Sequence, residues 1–160
     1  MVRDGVHFGI PTIAAGAGRI GIMPLPDEET MQDITDWGAT LVVSLTTTRE
    51  MSGPLAPTLA AIGAAWAHLP IPDFGAPAPQ TRLDWAKMAK DINARLDAGE
   101  GVIVHCRGGC GRSGMILLRL LVERGEEAAV ALKRLRAVRP CAVETRAQYE
   151  WAASGAPYPD

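Results

Sequence analysis

The sequence predicts an α/β fold of one domain, residues 1–160, with a central, mostly parallel sheet flanked by helices on both faces. Three observations carry this. Short apolar runs, such as residues 40–45 and 102–104, recur between segments of helical character, and strands alternating with helices build parallel sheets covered on both sides. With 160 residues, 48% hydrophobic and 21% charged, the chain has the size and composition of one globular domain whose core needs no staples. The longest apolar run is broken by Arg119, so it falls well short of the ~20 residues of a membrane span.

Taken in order, residues 19–23 form a strand closed by Pro24 and Pro26. Asp27 is placed to cap a helix whose first turn holds Glu28 and Glu29, where negative charge meets the positive end of the helix dipole. That helix runs to Trp37, with Gly38 as its C-terminal cap. Residues 40–45 follow as a buried strand, 46–53 as a polar connection, 54–63 as a helix and 66–71 as another short strand. Pro72-Asp73-Phe74-Gly75-Ala76-Pro77-Ala78-Pro79 is too rich in helix breakers for helix or central strand and reads as a surface loop. Thr81 and Asp84 are spaced as a capping box for a helix ending at Gly99. Residues 102–105 form a strand, a helix then runs to Arg124 with Gly125 behind it, and another spans 126–138 before Arg139-Pro140 stops it. Thr145 with Gln148 opens the last helix, again as a capping box.

The chain is organised around His105-Cys106-Arg107-Gly108-Gly109-Cys110-Gly111-Arg112-Ser113-Gly114, a tight glycine loop between strand and helix. Gly108, Gly109 and Gly111 let the backbone curl so that N–H groups point inward as an anion nest, backed by the positive helix terminus. Arg107, Gly108, Gly109, Cys110, Gly111 and Arg112 are therefore the expected phosphate-binding residues, with the Arg112 fork spanning two oxygens. Cys106 in that field is expected as a thiolate nucleophile, and Ser113 is placed to bond it and ease its departure. A thiolate attacking a phosphate ester needs a partner that protonates the leaving oxygen. Asp73, the single ionisable residue of the breaker-rich loop and 33 residues before Cys106, is the candidate. A turn aspartate bonding its own backbone is the plainer alternative. His105 has two readings, tuning of the thiol or a core histidine bonded to backbone.

Cysteine, five residues, arginine and serine, preceded by histidine, resembles the signature of the cysteine-dependent phosphatases. Residues 20–26, 68–75 and 142–149 resemble the kinase-associated, dual-specificity branch in the same order. The resemblance implies a phosphotyrosine phosphatase-like fold and a metal-independent, two-displacement hydrolysis through phosphocysteine. It also implies an acid at Asp73, where Pro72 departs from the usual preceding residue, and a water-positioning role for Gln148 beside its capping role. The expected substrates are phosphotyrosine and phosphoserine/threonine proteins or peptides, with phosphate and other oxyanions as loop ligands. A cyclin-dependent-kinase partner does not carry over.

Other classes follow less well. A net charge of −2 gives no footprint for nucleic acid. His105, Cys106 and Cys110 are too close-set for a zinc site, so no metal or other cofactor is expected. A phosphoinositide phosphatase tends to carry two basic loop positions, and here Arg107 is basic while Cys110 is not. A phosphate-binding pseudoenzyme would usually lose Cys106 or Arg112, and a rhodanese-type sulfurtransferase would usually have a loop one residue shorter and no need of Asp73. The run Lys133, Arg134, Arg136, Arg139, Arg146 reads as a solvated face before it reads as a steering patch. Three cysteines, an odd number with one in a reactive loop, predict free thiols and a cytoplasmic setting, and no secretory signal pattern opens the chain. Cys141 reads as structural. Cys110 reads either as a redox partner for oxidised Cys106 or as a loop residue without that role.

Overall fold

The computed structural model describes residues 2–155. The strands are β1 (Gly5–His7), β2 (Ile10–Ala15), β3 (Gly18–Met23), β4 (Ala39–Ser44), β5 (Ala65–His68) and β6 (Gly101–His105). The helices are α1 (Met31–Trp37), α2 (Ala56–Ala61), α3 (Pro79–Asp97), α4 (Gly111–Glu123), α5 (Ala128–Val138) and α6 (Arg146–Ala153). One six-stranded sheet runs in the order β1-β2-β3-β6-β4-β5. The pairs β3–β6, β6–β4 and β4–β5 are parallel, while β1–β2 and β2–β3 are antiparallel. The expected parallel sheet is present with an antiparallel edge added. Glycines at 5, 9 and 16 and Pro11 break the apolar pattern there, which is why β1 and β2 escape a reading of the sequence alone.

Both faces of the sheet are covered, and alternate strand residues feed two cores. Val102 and Val104 of β6, with Leu41 and Val43 of β4, pack beneath α3, α4, α5 and α6. Ile103 and Val42 point the other way, onto Ile34 and Trp37 of α1 and Leu59 of α2. Nearly every residue of α4 is buried, so this helix is held in the middle of the larger core. Its N-terminus follows β6 directly, which places the glycine loop at the C-terminal edge of the parallel strands.

Three local expectations are corrected. Asp27 does not cap α1: its carboxylate accepts from the Thr30 N–H at 2.9 Å and makes a separate turn, and the helix begins at Met31. Thr81 and Asp84 form no capping box, because Pro79 occupies the first helical position and pulls Thr81 inside the first turn. The third concerns the cysteines. Cys110 and Cys141 are joined in a disulfide, leaving Cys106 as the one free cysteine. They are 31 residues apart in sequence, but the α4–α5 hairpin brings their Cα atoms to 5.1 Å. Cys110 is thus committed to Cys141, and its reading as the redox partner of Cys106 is set aside. No helix among the described residues is long and apolar enough to cross a membrane.

Candidate active site

The site is built on the loop between β6 and α4. Cys106 is 3% exposed, and its Sγ lies 3.0 Å from the Ser113 Oγ on the first turn of α4. The loop's carbonyls are all turned away from its interior. The Cys106 carbonyl accepts from His105 Nδ1 at 3.1 Å and that of Arg107 from the Leu25 N–H at 3.1 Å. Those of Gly108 and Gly109 accept from the Arg139 guanidinium at 2.9 Å each, and that of Cys110 from the N–H groups of Gly114 and Val143. Among the described residues, the N–H groups of Arg107, Gly108, Gly109 and Cys110 have no acceptor in the protein. Gly109 is obligatory: its φ is +71°, and a Cβ there would lie 2.6 Å from the Met23–Pro24 backbone. Gly114 is equally constrained, since a Cβ would lie 2.6 Å from the Val143 nitrogen.

Arg112 is 1% exposed. Both carboxylate oxygens of Glu50 accept from its terminal nitrogens at 2.7 Å, and the Ile71 carbonyl accepts from Nη1 at 2.9 Å. Burial alone would lower the Arg112 pKa, and Glu50 reverses this and raises it. The Arg112 hydrogen bonds hold the Glu50 carboxyl at about 2, against an ordinary 4.5. The fork is therefore fixed and permanently charged, and its Nε–H has no protein partner among the described residues. A buried charged donor of this kind is suited to an acceptor such as an oxyanion placed against the loop amides.

Asp73 sits in the turn at 72–75, where the Gly75 N–H donates to the Pro72 carbonyl at 2.9 Å. Phe74 adopts φ +60° there, a left-handed conformation that costs a non-glycine residue about 1–3 kcal/mol. The Asp73 carboxylate lies 3.3 Å from Arg112 Nη2, is still substantially exposed, and accepts from the Phe74 N–H at 3.0 Å, the local backbone bond of the plainer alternative. Gln148, fully buried, does two things. Its Oε1 accepts from the N–H groups of Glu144 and Thr145, completing the expected capping box, and its Nε2 donates to the Gly75 carbonyl at 3.3 Å. It thus ties the acid-bearing turn to α6.

His105 is fully buried and bridges two strands. Its Nε2 lies 2.5 Å from the Ser44 Oγ of β4, which in turn accepts from Trp66 Nε1 of β5 at 2.8 Å. Because Nδ1 faces a carbonyl it must carry the proton, so Ser44 donates to Nε2. Burial lowers the His105 pKa to about 4. The ring is neutral, which favours the structural reading of His105. Arg107 is exposed at the loop's rim.

Tertiary structure therefore gathers Cys106, Arg112, Ser113 and Asp73, and places Gln148 behind the acid turn. Glu50 was not legible. It lies in a one-turn 3-10 segment over Thr48–Glu50, and only the Thr47–Glu50 spacing, a capping-box pattern, hints that it is ordered. Four residues of the five-residue basic run have protein partners. Arg134 pairs with Asp4 and Glu126, Arg136 bonds the Ala142 and Val143 carbonyls, Arg139 holds the loop, and Arg146 pairs with Glu150.

Residues 14–126 match the family model described as "Polymorphic toxin system, DSP-PTPase phosphatase". The chain belongs to this DSP-PTPase phosphatase family. It is 30% identical over 133 residues to the putative tyrosine phosphatase 067L of Invertebrate iridescent virus 3, covering 79% of this chain and 53% of that protein. The chain thus spans about half the length of that curated relative. Among solved structures, Tk-PTP in the active form superposes with a TM-score of 0.73 at 33% identity, covering 83% of this chain and 88% of the other. Kinase associated phosphatase with its catalytic cysteine replaced by serine gives a TM-score of 0.77 at 20% identity, covering 94% of each chain, and so shares the fold. The phosphatase-like fold and the dual-specificity resemblance are both upheld.

Proposed function

We propose that this chain hydrolyses phosphate monoesters through a phosphocysteine intermediate, acting on phosphotyrosine or phosphoserine/threonine proteins, without a metal or other cofactor. The observation that carries this reading is the loop around Cys106, with four amides and the Nε–H of a buried, fixed Arg112 that have no protein partner among the described residues. Donors preorganised for equatorial phosphoryl oxygens stabilise charge where it develops.

The Cys106 thiolate attacks phosphorus, and the bond to the ester oxygen breaks as Asp73 gives that oxygen its proton. Water then attacks the phosphocysteine while Asp73 takes the water's proton, and Ser113 donates to the departing thiolate. The 3.0 Å Ser113–Cys106 contact and the Asp73–Arg112 pair at 3.3 Å support these assignments. Gln148 acts here through the acid turn, because its amide is committed to Gly75 and the α6 cap. The phosphoinositide alternative loses ground, since Cys110 is neither basic nor free. The cytoplasmic reading rests on three cysteines, an odd number with one in a reactive loop. The Cys110–Cys141 disulfide weighs against it, because glutathione-buffered compartments keep most thiols reduced.

The test is hydrolysis of p-nitrophenyl phosphate in the presence of chelator, by wild type and Cys106→Ser. Chelator-resistant turnover abolished by the substitution is expected. Turnover that needs metal, or survives without the thiol, overturns the reading.

A further inference from the structure

A nest binds an anion only if its peptide units are turned the right way. Each peptide unit has two ends, so directing the N–H groups inward requires the carbonyls to find partners outside. The five carbonyls of residues 106–110 all have such partners, and four different structures supply them. His105 takes that of Cys106, the chain after β3 takes that of Arg107, and backbone N–H groups take that of Cys110. Among the described residues, the carbonyls of Gly108 and Gly109, at the apex of the loop, have no backbone partner. Both are held by one side chain, through Arg139 Nη2 and Nε at 2.9 Å.

These two residues are glycines, with the widest choice of peptide orientation of any residue type. The loop's apex is therefore its least self-determined part. We propose that Arg139 is the positioning residue that sets the phosphate-binding shape of the loop. It clamps the Gly108 and Gly109 carbonyls outward so that the amides that follow them, of Gly109 and Cys110, face the anion.

Three further features fit this assignment. Arg139 ends α5 and leads into the segment at 139–143, which is itself anchored against the loop. The Ala142 N–H donates to the Arg139 carbonyl at 3.0 Å, and the Val143 N–H donates to the Cys110 carbonyl at 3.3 Å. Val143 takes φ +67°, a left-handed conformation that is exceptional for a β-branched residue and is kept only where surrounding contacts over-determine it. The Cys110–Cys141 disulfide joins the same two segments covalently. The guanidinium's planar fork reaches both carbonyls at once, and a lysine ammonium reaches them less well. The inference rests on the proposed phosphate-binding role of the loop.

The experiment separates the two. Inorganic phosphate binding is measured by isothermal titration calorimetry in a Cys106→Ser background, alone and with Arg139→Met or Arg139→Lys. Binding by the Cys106→Ser protein alone tests the loop's role, and its absence removes the ground for the inference as well. Given binding, Arg139→Met is expected to weaken it about tenfold or more, at a temperature where circular dichroism shows the variant folded. Arg139→Lys should recover part of the loss. In otherwise wild-type protein, Arg139→Met should lower kcat/KM and weaken vanadate inhibition in parallel. Unchanged phosphate affinity in folded Arg139→Met, or loss of melting temperature without loss of affinity, overturns the assignment. If Arg139→Met does not fold, Arg139→Lys carries the test alone: weakened affinity at unchanged fold supports the inference, and wild-type affinity refutes it.

Discussion

Replacing Glu50 by glutamine removes the charge that neutralises Arg112 while keeping the side chain's shape. In the folded protein the Glu50 carboxyl is held at about 2 against an ordinary 4.5, by two 2.7 Å hydrogen bonds from a guanidinium that is 1% exposed. At roughly 1.4 kcal/mol per pH unit, that difference is worth about 3 kcal/mol of stability. Breaking a buried ion pair by removing one partner costs ~3–5 kcal/mol, so the two routes agree. The sign follows from the depressed folded value. The contribution is fully present above the unfolded value of 4.5 and is lost as pH falls toward 2. Glu50→Gln should therefore be less stable than wild type by about 3 kcal/mol at pH 7, or about 6–12 °C in melting temperature for a chain of this size. The gap should shrink between pH 5 and pH 2, where the wild-type carboxyl itself becomes neutral. Urea unfolding followed by tryptophan fluorescence across pH measures this. A gap below about 0.5 kcal/mol, the range of ordinary surface changes, or one that does not vary with pH, would refute the reasoning.

Three further outcomes are expected. His105, held near 4 by burial against an ordinary 6.5, stays neutral while the unfolded chain takes up a proton. The wild type should thus lose about 2 kcal/mol between pH 7.5 and 5, and His105→Gln should lack this slope in denaturant titrations. Cys141→Ser opens a cross-link between positions 31 apart and should cost about 3–4 kcal/mol by the chain-entropy model, read as a fall in the urea midpoint that reductant reproduces in wild type. Asp73→Asn should lower kcat by about 10²–10⁴-fold on esters with poor leaving groups and much less on p-nitrophenyl phosphate. Equal losses on both would remove Asp73 from the acid role.

Much of this protein follows from local chemistry. A thiol, five residues, an arginine and a serine between an apolar strand and an apolar helix specify a tight loop with inward amides, because glycine flexibility, peptide polarity and helix termini act over a few residues. The parallel strands and the Thr145–Gln148 cap were legible for the same reason: their signals are spacings within one element. What only tertiary structure decided are pairings across long separations. Glu50 meets Arg112 across 62 residues, Cys110 meets Cys141 across 31, and Arg139 reaches Gly108 across 31. In sequence Glu50 is one carboxylate in a polar connection, Cys141 a lone cysteine and Arg139 one cation in a basic run. Each acquires its role when β4, β6 and the α4–α5 hairpin converge at one edge of the sheet, and no local pattern encodes that convergence.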